Sequence, residues 1–111
     1  MKYTLKIAPI VYRDLSGIEN YIDRPSAAKK VVKNITKSIR TLPDSPFKGF
    51  ELRKKFGLDT DLRGWLVPPH IVIYDVKGAH IKAFRVLDTR SDYLSALGFA
   101  AASDDTDDTD D

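Results

Sequence analysis

Residues 62–93 decide the fold, and they read LRGWLVPPHIVIYDVKGAHIKAFRVLDTRSDY. The stretch is dense in β-branched and aromatic residues, and the turn dipeptides Pro68-Pro69 and Lys77-Gly78 interrupt it. Short apolar runs joined by such turns predict consecutive strands. The predicted strands are Leu62–Val67, Ile71–Val76 and Ala79–Leu87. The middle run is almost wholly apolar, which is typical of a central strand that is shielded on both faces.

The segment before this stretch predicts two helices that cover the sheet. Apolar residues recur at helical spacing after Pro9 and again after Pro25, and a proline suits the first turn of a helix because its missing N–H is not needed there. The two apolar stripes are Val11, Leu15, Ile18 and Ile22, then Ala28, Val31, Val32, Ile35, Ile39 and Leu42. Neither stripe can be buried by the other helix alone, so we expect a helical hairpin packed on one face of the sheet.

Three shorter elements complete the predicted order. Tyr3–Ile7 alternates as a first strand, and the even spacing of apolar residues over 50–56 predicts another strand. Asp88-Thr89 is predicted to cap a short final helix that ends at Gly98. The chain is therefore expected to be an α+β domain over residues 1–99, with an N-terminal strand, an α-helical hairpin packed on a meandering antiparallel sheet, and a short C-terminal helix.

Composition bounds the class of protein. A chain of 111 residues can bury one core without cross-links, and the absence of cysteine excludes disulfides, a thiol nucleophile and a cysteine-based zinc site. No apolar run is long enough to span a bilayer, so we interpret the sequence as a cytoplasmic protein that does not contact a membrane. His70 and His80 lie on different predicted strands without metal-ligand spacing, so we predict neither a metal nor a cofactor.

Charge is unevenly distributed along the chain. Residues 104–111 hold six aspartates and no base, so residues 1–103 carry 18 basic against ten acidic residues, a net charge of +8. A body this basic attracts anionic partners, and nucleic acid and an acidic protein are the two candidates. Residues 100–111 lack a large apolar side chain and predict a disordered acidic tail. The tail is either a solubilising end or a segment that folds back over a basic edge and competes with phosphate.

The candidate site is a basic set close to the predicted sheet. Its members are Arg53, Lys54, Lys55, Arg63, Arg85 and Arg90. Strand pairing is expected to bring several of them to one edge, where arginines bind phosphate through paired hydrogen bonds. Trp65, Tyr74 and Tyr93 add aromatic surface for base stacking, although Trp65 and Tyr74 are better interpreted as core residues because they lie in a strand-rich region. The lysines at 54 and 55 also fit a solvated edge that discourages aggregation.

Four segments of the chain, in this order, resemble the RelE/ParE superfamily of toxins from bacterial type II toxin–antitoxin systems. They are the opening strand with the helix from Pro9 to Ile22, the second helix closing with Leu42-Pro-Asp-Ser-Pro46, the strand Ile71–Val76, and the ending RVLDTRSDY at 85–93. The ending is similar to the family's frequent Arg-Val-Leu-His-Gly-Arg-Arg-Asp. The resemblance covers roughly residues 1–99 and is closer to ParE-like members because of the long helical hairpin.

The resemblance implies a toxin that arrests growth and a cognate antitoxin that neutralises it in a hetero-oligomer. The expected docking place for the antitoxin is the groove between the helical hairpin and the sheet. ParE-like members inhibit DNA gyrase, whereas RelE-like members cleave mRNA at the ribosome. Asp88 stands where the cleaving members often have a histidine, and an apolar residue near Ile71 replaces one of their arginines. We therefore predict a gyrase inhibitor that is not an enzyme.

The alternative is a ribosome-dependent mRNA endonuclease. The resemblance then implies that Arg53, Lys54 and Lys55 hold phosphates, that Arg90 stabilises the transition state of cleavage, and that Tyr93 assists proton transfer. Arg63 and Arg85 complete the expected set of residues that bind the target. A third interpretation is a scaffold of this family that has lost its toxicity.

Overall fold

The computed structural model describes residues 2–99, so the predicted acidic tail, residues 100–111, lies outside the described residues. The strands are β1 (Thr4–Ile7), β2 (Phe50–Glu51), β3 (Arg63–Val67), β4 (His70–Lys77) and β5 (His80–Asp88). The helices are α1 (Pro9–Tyr21), α2 (Pro25–Arg40), α3 (Leu52–Phe56) and α4 (Tyr93–Ala96), with a 3-10 turn at Leu42–Asp44. The predicted α+β class, with a helical hairpin and a short final helix, is confirmed.

The five strands form one sheet in the order β1-β5-β4-β3-β2. β4 is the central strand, as its apolar sequence predicts, and two-residue loops join it to its neighbours at Pro68-Pro69 and Gly78-Ala79. Gly78 has a φ of 61°, a value that such a tight turn requires and that glycine adopts without steric cost. β1 pairs parallel to β5, so the sheet is mixed and not purely an antiparallel meander.

The core lies between the helical hairpin and one face of the sheet. Val11 of α1 and Ile35 and Ile39 of α2 are fully buried against Val72 and Tyr74 of β4. Both predicted apolar stripes therefore face the sheet, which confirms the expectation that neither helix could be covered by the other alone.

The prediction of a strand over residues 50–56 is wrong beyond Glu51, because residues 52–56 form α3. Leu52 is fully buried, and its spacing of four residues from Phe56 fits one side of a helical turn as well as alternate positions of a strand. Gly57 ends α3 in the left-handed conformation, with a φ of 69°, and its N–H donates to the carbonyl of Arg53 at 2.9 Å.

The predicted cap of the last helix is also wrong. Asp92 caps α4, where its carboxylate accepts hydrogen bonds from the backbone N–H and the hydroxyl of Ser95 at 3.3 and 2.7 Å. Thr89 instead donates from its N–H to the carbonyl of Pro69 at 2.9 Å, which ties the turn after β5 to the β3–β4 loop. Gly98 follows the helix with a φ of 96°, in agreement with the predicted end.

The candidate partner-binding groove and the basic residues

A groove of about 610 Å3 lies between the helical hairpin and the end of β5. Its lining residues are Arg13, Asp14, Gly17, Ile18, Tyr21, Ile22, Val31, Pro69, His70, Val86, Leu87, Asp88 and Arg90. Most of the walls are aliphatic, and the polar groups gather around the end of β5. Such a groove suits a partner segment with an apolar face and a few polar anchors.

The groove exists because β1 is too short to cover β5. The parallel pairing runs from Thr4 opposite His80 to Ile7 opposite Ala83, and the N–H of Ala8 donates the last hydrogen bond, to the carbonyl of Ala83 at 2.9 Å. The chain then turns at Pro9 into α1. The second half of β5 therefore has an open edge beside the hairpin.

Asp14 occupies part of this open edge. Its carboxylate accepts two hydrogen bonds from Arg85, at 2.9 Å from Nε and 3.0 Å from Nη2, and a third from the backbone N–H of Val86 at 2.9 Å. The side chains of Asp14 and Arg85 are only 11% and 25% exposed. The hydrogen bonds to Asp14 raise the pKa of Arg85 further above its ordinary value. The pair joins α1 to β5 at the point where β1 ends.

A β-bulge helps to place Arg85 in this pair. The pairing of β4 with β5 shifts between Ile73, which lies opposite Arg85, and Tyr74, which lies opposite Ala83. The extra residue, Phe84, has no partner on β4, and such an insertion changes the direction of the side chains that follow it. The guanidinium predicted to bind the target is thus engaged inside the protein.

His70, the first residue of β4, lies opposite Asp88, the last residue of β5. His70 is only 7% exposed, and its Nδ1 is buried without a hydrogen-bond partner. Burial lowers the pKa of His70 below its ordinary value, which outweighs the opposite effect of Asp88. Burial therefore favours the neutral form of this imidazole, which lies in the lining of the groove.

Asp88 holds Arg90 at the rim of the groove. Arg90 donates to the carboxylate from Nη2 at 2.6 Å, from Nε at 3.0 Å and from its backbone N–H at 2.8 Å. These hydrogen bonds, those of the side chain above all, hold the pKa of Asp88 at about 2. The Arg90 side chain is still 66% exposed, so it can also bind an anionic group of a partner.

The other candidate basic residues do not share one edge of the sheet. Arg53 pairs with Asp59 at 3.1 Å and Asp61 at 3.3 Å, and Lys54 pairs with Glu51 at 3.2 Å. Arg53 and Lys54 lie on α3, as does Lys55. The Nζ of Lys55 lies 5.2 Å from the ring centroid of Phe50 and 5.9 Å from that of Phe56.

Arg63 lies beneath the loop that precedes β2. Its Nη2 donates to the carbonyls of Gly49 and Phe47 at 2.7 and 3.0 Å, and its side chain is 16% exposed. The hydroxyl of Tyr74 fixes the same loop, since it accepts from the N–H of Gly49 and donates to the carbonyl of Pro46, both at 2.9 Å. Tyr74 is fully buried, so the core interpretation of this tyrosine fits the structure.

The two residues predicted to be catalytic have different surroundings. Arg90 lines the groove beside the hairpin. Tyr93 packs against Phe56 of α3, with the ring centroids 6.4 Å apart, and burial raises the pKa of its hydroxyl. The structure thus brings Tyr93 towards α3 and its basic residues, while Arg90 belongs to the groove.

Residues 5–93 match the family described as "ParE toxin of type II toxin-antitoxin system, parDE". The chain belongs to this family of ParE toxins. Solved structures support the fold of this ParE toxin. A chain of the chromosomal ParDE system from P. aeruginosa has 22% identity and a TM-score of 0.65, and the match covers 78% of this chain and 96% of that one.

Two structures of YoeB–YefM complexes from Staphylococcus aureus also have this fold, each with a TM-score of 0.50. The first has 17% identity and covers 78% of this ParE toxin and 95% of that chain. The second is described as a heterotetrameric toxin–antitoxin complex, has 19% identity, and covers 77% and 94%. No curated protein sequence matches the chain.

Sequence reasoning missed Asp14 and Gly17 as groove residues of this ParE toxin. A signal for Asp14 was present, because it follows Val11 by three residues and precedes Ile18 by four, so it borders the apolar stripe of α1. A carboxylate in that position needs a partner, but its partner is 71 residues away along the chain. Gly17 gave no such signal.

The described part of the ParE toxin has neither a cluster of metal ligands nor a helix that could span a membrane. Among residues 2–99, no three His, Cys, Asp or Glu side chains lie close enough together to hold a metal ion. Within the same range, every helix is too short or too polar to cross a membrane.

The titration of Asp88 predicts a pH dependence. Its pKa of about 2 is below the ordinary value of 3.8 because of Arg90. A depressed pKa in the folded state means that the pair stabilises the fold fully above about pH 4 and loses this contribution as the pH falls towards 2. Carbonyl-detected NMR should give a midpoint near pH 2 for Asp88, and Arg90→Gln should return it to the ordinary range. A parent midpoint near the ordinary value would contradict the pair.

Proposed function

We propose that this toxin arrests growth in the cytoplasm by inhibiting DNA gyrase, and that a cognate antitoxin neutralises it by docking in the groove beside α1. The observation that supports binding over catalysis is the dispersal of the basic residues. Arg63 and Arg85 are engaged inside the protein, and Arg90 and Tyr93 have different surroundings. Cleavage of a phosphodiester needs several groups converging on one phosphate, and these four residues do not converge.

The groove has the properties of a site for a protein segment. Its aliphatic walls include Ile18 of α1 and Ile22, which directly follows this helix, and Tyr21 at its rim is 81% exposed. An amphipathic helix can bury such an apolar surface, and an extended segment can pair with the open edge of β5.

The charges of the groove and the similarity to solved structures support an antitoxin as the partner. Arg13 and Arg90 lie in the lining of the groove and would attract acidic side chains of an antitoxin. The structures with this fold include a ParDE toxin–antitoxin system and YoeB–YefM complexes, so a hetero-oligomer of toxin and antitoxin is the assembly we infer for this chain.

A supercoiling assay with purified gyrase and relaxed plasmid tests the target. We expect inhibition by the purified toxin, and relief of inhibition when the protein of the neighbouring reading frame is added. A parallel translation extract should keep its mRNA intact at the same toxin concentration. Undiminished supercoiling at large excess of toxin would refute gyrase as the target.

The second candidate function is cleavage of mRNA at the ribosome. The observation in its favour is the basic and aromatic surface of α3, where Lys55 lies over Phe56 and Phe56 contacts Tyr93. In this mechanism Arg53, Lys54 and Lys55 hold phosphates and Tyr93 moves a proton. Tyr93→Phe keeps the ring against Phe56 and should abolish cleavage in the extract, whereas cleavage by the variant at the parent rate would exclude this role.

A further inference from the structure

α2 carries a row of cations that neither the groove nor the candidate site uses. The five basic residues of α2 are Lys29, Lys30, Lys33, Lys37 and Arg40, and all are exposed. At about 100° per residue they fall within an arc of roughly 100°, on the opposite side from the buried Ala28, Ile35 and Ile39. The helix contains no acidic residue. Its outer face therefore carries a basic stripe about 16 Å long, from Lys29 to Arg40.

No carboxylate neutralises this stripe within the described residues 2–99. The ion pairs of the protein involve Arg53, Lys54, Arg63, Lys77, Arg85 and Arg90. Five of those six cations belong to the set that sequence reasoning chose as the site. The five cations of α2 thus keep their positive charge without a carboxylate partner among the described residues, unlike most of the residues that were predicted to form the site.

We propose that the outer face of α2 binds the phosphate backbone of double-stranded DNA without regard to sequence. Residues four apart on a helix rise by about 6 Å, so Lys29, Lys33 and Lys37 present charges at a spacing comparable to that of phosphates along a strand. Interfaces with DNA are polar and strongly positive, as this face is.

The chemistry of the stripe favours nucleic acid over an acidic protein. Protein interfaces are built around buried aromatic or aliphatic anchors. Among residues 2–99, the exposed large apolar residues all lie outside α2, and they are Ile10, Tyr12, Tyr21, Phe47 and Leu66. The same absence favours a duplex, because single strands are held by aromatic side chains that stack on bases. α1 therefore offers a surface for protein, whereas α2 offers one for DNA.

The inference goes beyond the proposed function, since it names DNA as a direct ligand of the toxin. Binding of DNA by α2 is tested independently of gyrase inhibition, because the measurement contains only DNA and toxin. If both are correct, α2 would anchor the toxin to the DNA that the enzyme holds, while another surface contacts the enzyme.

The test is fluorescence anisotropy with a labelled random-sequence duplex of about 20 base pairs, which is longer than α2. Affinity is measured from about 50 to 200 mM salt, since log K falls with log salt by about 0.9 for each phosphate neutralised. We expect Lys29→Gln/Lys33→Gln/Lys37→Gln to lower affinity at least tenfold at the lowest salt and to flatten the salt slope by about 2–3. Glutamine has nearly the helix propensity of lysine, so α2 should stay intact by circular dichroism.

A matched control removes the same charge elsewhere. Lys2, Lys6 and Lys82 are exposed and form no ion pair among the described residues, so their triple glutamine variant has the same net charge as the α2 variant. We expect this control to keep most of the affinity and of the slope. Equal losses in the two variants would show a response to net charge alone and would overturn the proposal. Competition by poly-aspartate as strong as that by unlabelled duplex would point to an acidic protein and would overturn it as well.

Discussion

Gly17→Trp is expected to abolish neutralisation by the antitoxin while leaving the toxin folded and active. Gly17 lines the groove, and a Cβ added there has no atom within 4 Å, so the indole can extend into the open space without a clash. The ring would fill the volume that a docked segment needs, and we expect the dissociation constant of the complex to rise at least a hundredfold, about 2.7 kcal/mol. Because glycine disfavours a helix, the substitution should not lower the stability of α1.

Calorimetric titration with the antitoxin and growth on co-expression measure this effect. Gly17→Ala is the matched control, because it adds a single methyl group, should bind the antitoxin like the parent, and should stabilise the fold by about 0.5–1 kcal/mol. Binding of antitoxin to the Trp variant with the parent affinity would show that the groove is not the docking place. A Trp variant that binds poorly and is also harmless would indicate that the target uses the same groove.

Asp14→Ala is expected to cost the largest share of stability of any single substitution in the groove. It leaves the charge of Arg85, which is three-quarters buried, without its partner, and it leaves the N–H of Val86 unsatisfied. Breaking a buried pair in this way costs about 3–5 kcal/mol, a large part of the 5–15 kcal/mol that stabilises a typical domain. Urea unfolding monitored by the fluorescence of the single tryptophan, Trp65, gives the change directly.

Asp59→Ala is the matched control, because it removes a carboxylate from a solvent-exposed ion pair. Asp59 lies 3.1 Å from Arg53 but is 99% exposed, so its removal should leave the stability unchanged within the error of the measurement. The double variant Asp14→Ala/Arg85→Met should recover part of the loss, because it removes the unpaired charge. A cost below about 1 kcal/mol for Asp14→Ala would mean that water replaces the carboxylate at the edge of β5.

The sequence predicted those elements whose apolar pattern is long enough to be unambiguous. The helix α2 has sixteen residues with a regular apolar stripe, and the apolar run of β4 is bounded by turn residues, so both could be assigned. α3 has only five residues, and over that length Leu52 and Phe56 fit the periods of a strand and of a helix equally well. Tertiary contacts decide such short segments.

The candidate site was harder to predict because the availability of a charged group depends on its neighbours in space. Arg53 pairs with acidic residues six and eight positions away, which sequence proximity alone could have suggested. Arg85 pairs with Asp14, which is 71 residues away along the chain, and no local sequence pattern predicts that contact. The basic residues of α2 form no ion pair among the described residues, and this too depends on contacts in space that the sequence alone does not show.

The parallel pairing of β1 with β5 also limits when the sheet can be completed during synthesis of the chain. β1 leaves the ribosome first, but its partner residues, His80 to Ala83, are among the last of the fold to be made. The groove, which is built from the hairpin and the end of β5, cannot form earlier than β5 itself. A ribosome translating at about 5–20 residues per second would thus hold an incomplete chain for several seconds. Over that interval the groove that we propose as the docking place of an antitoxin would be absent, and a chain interrupted before residue 80 would never form it.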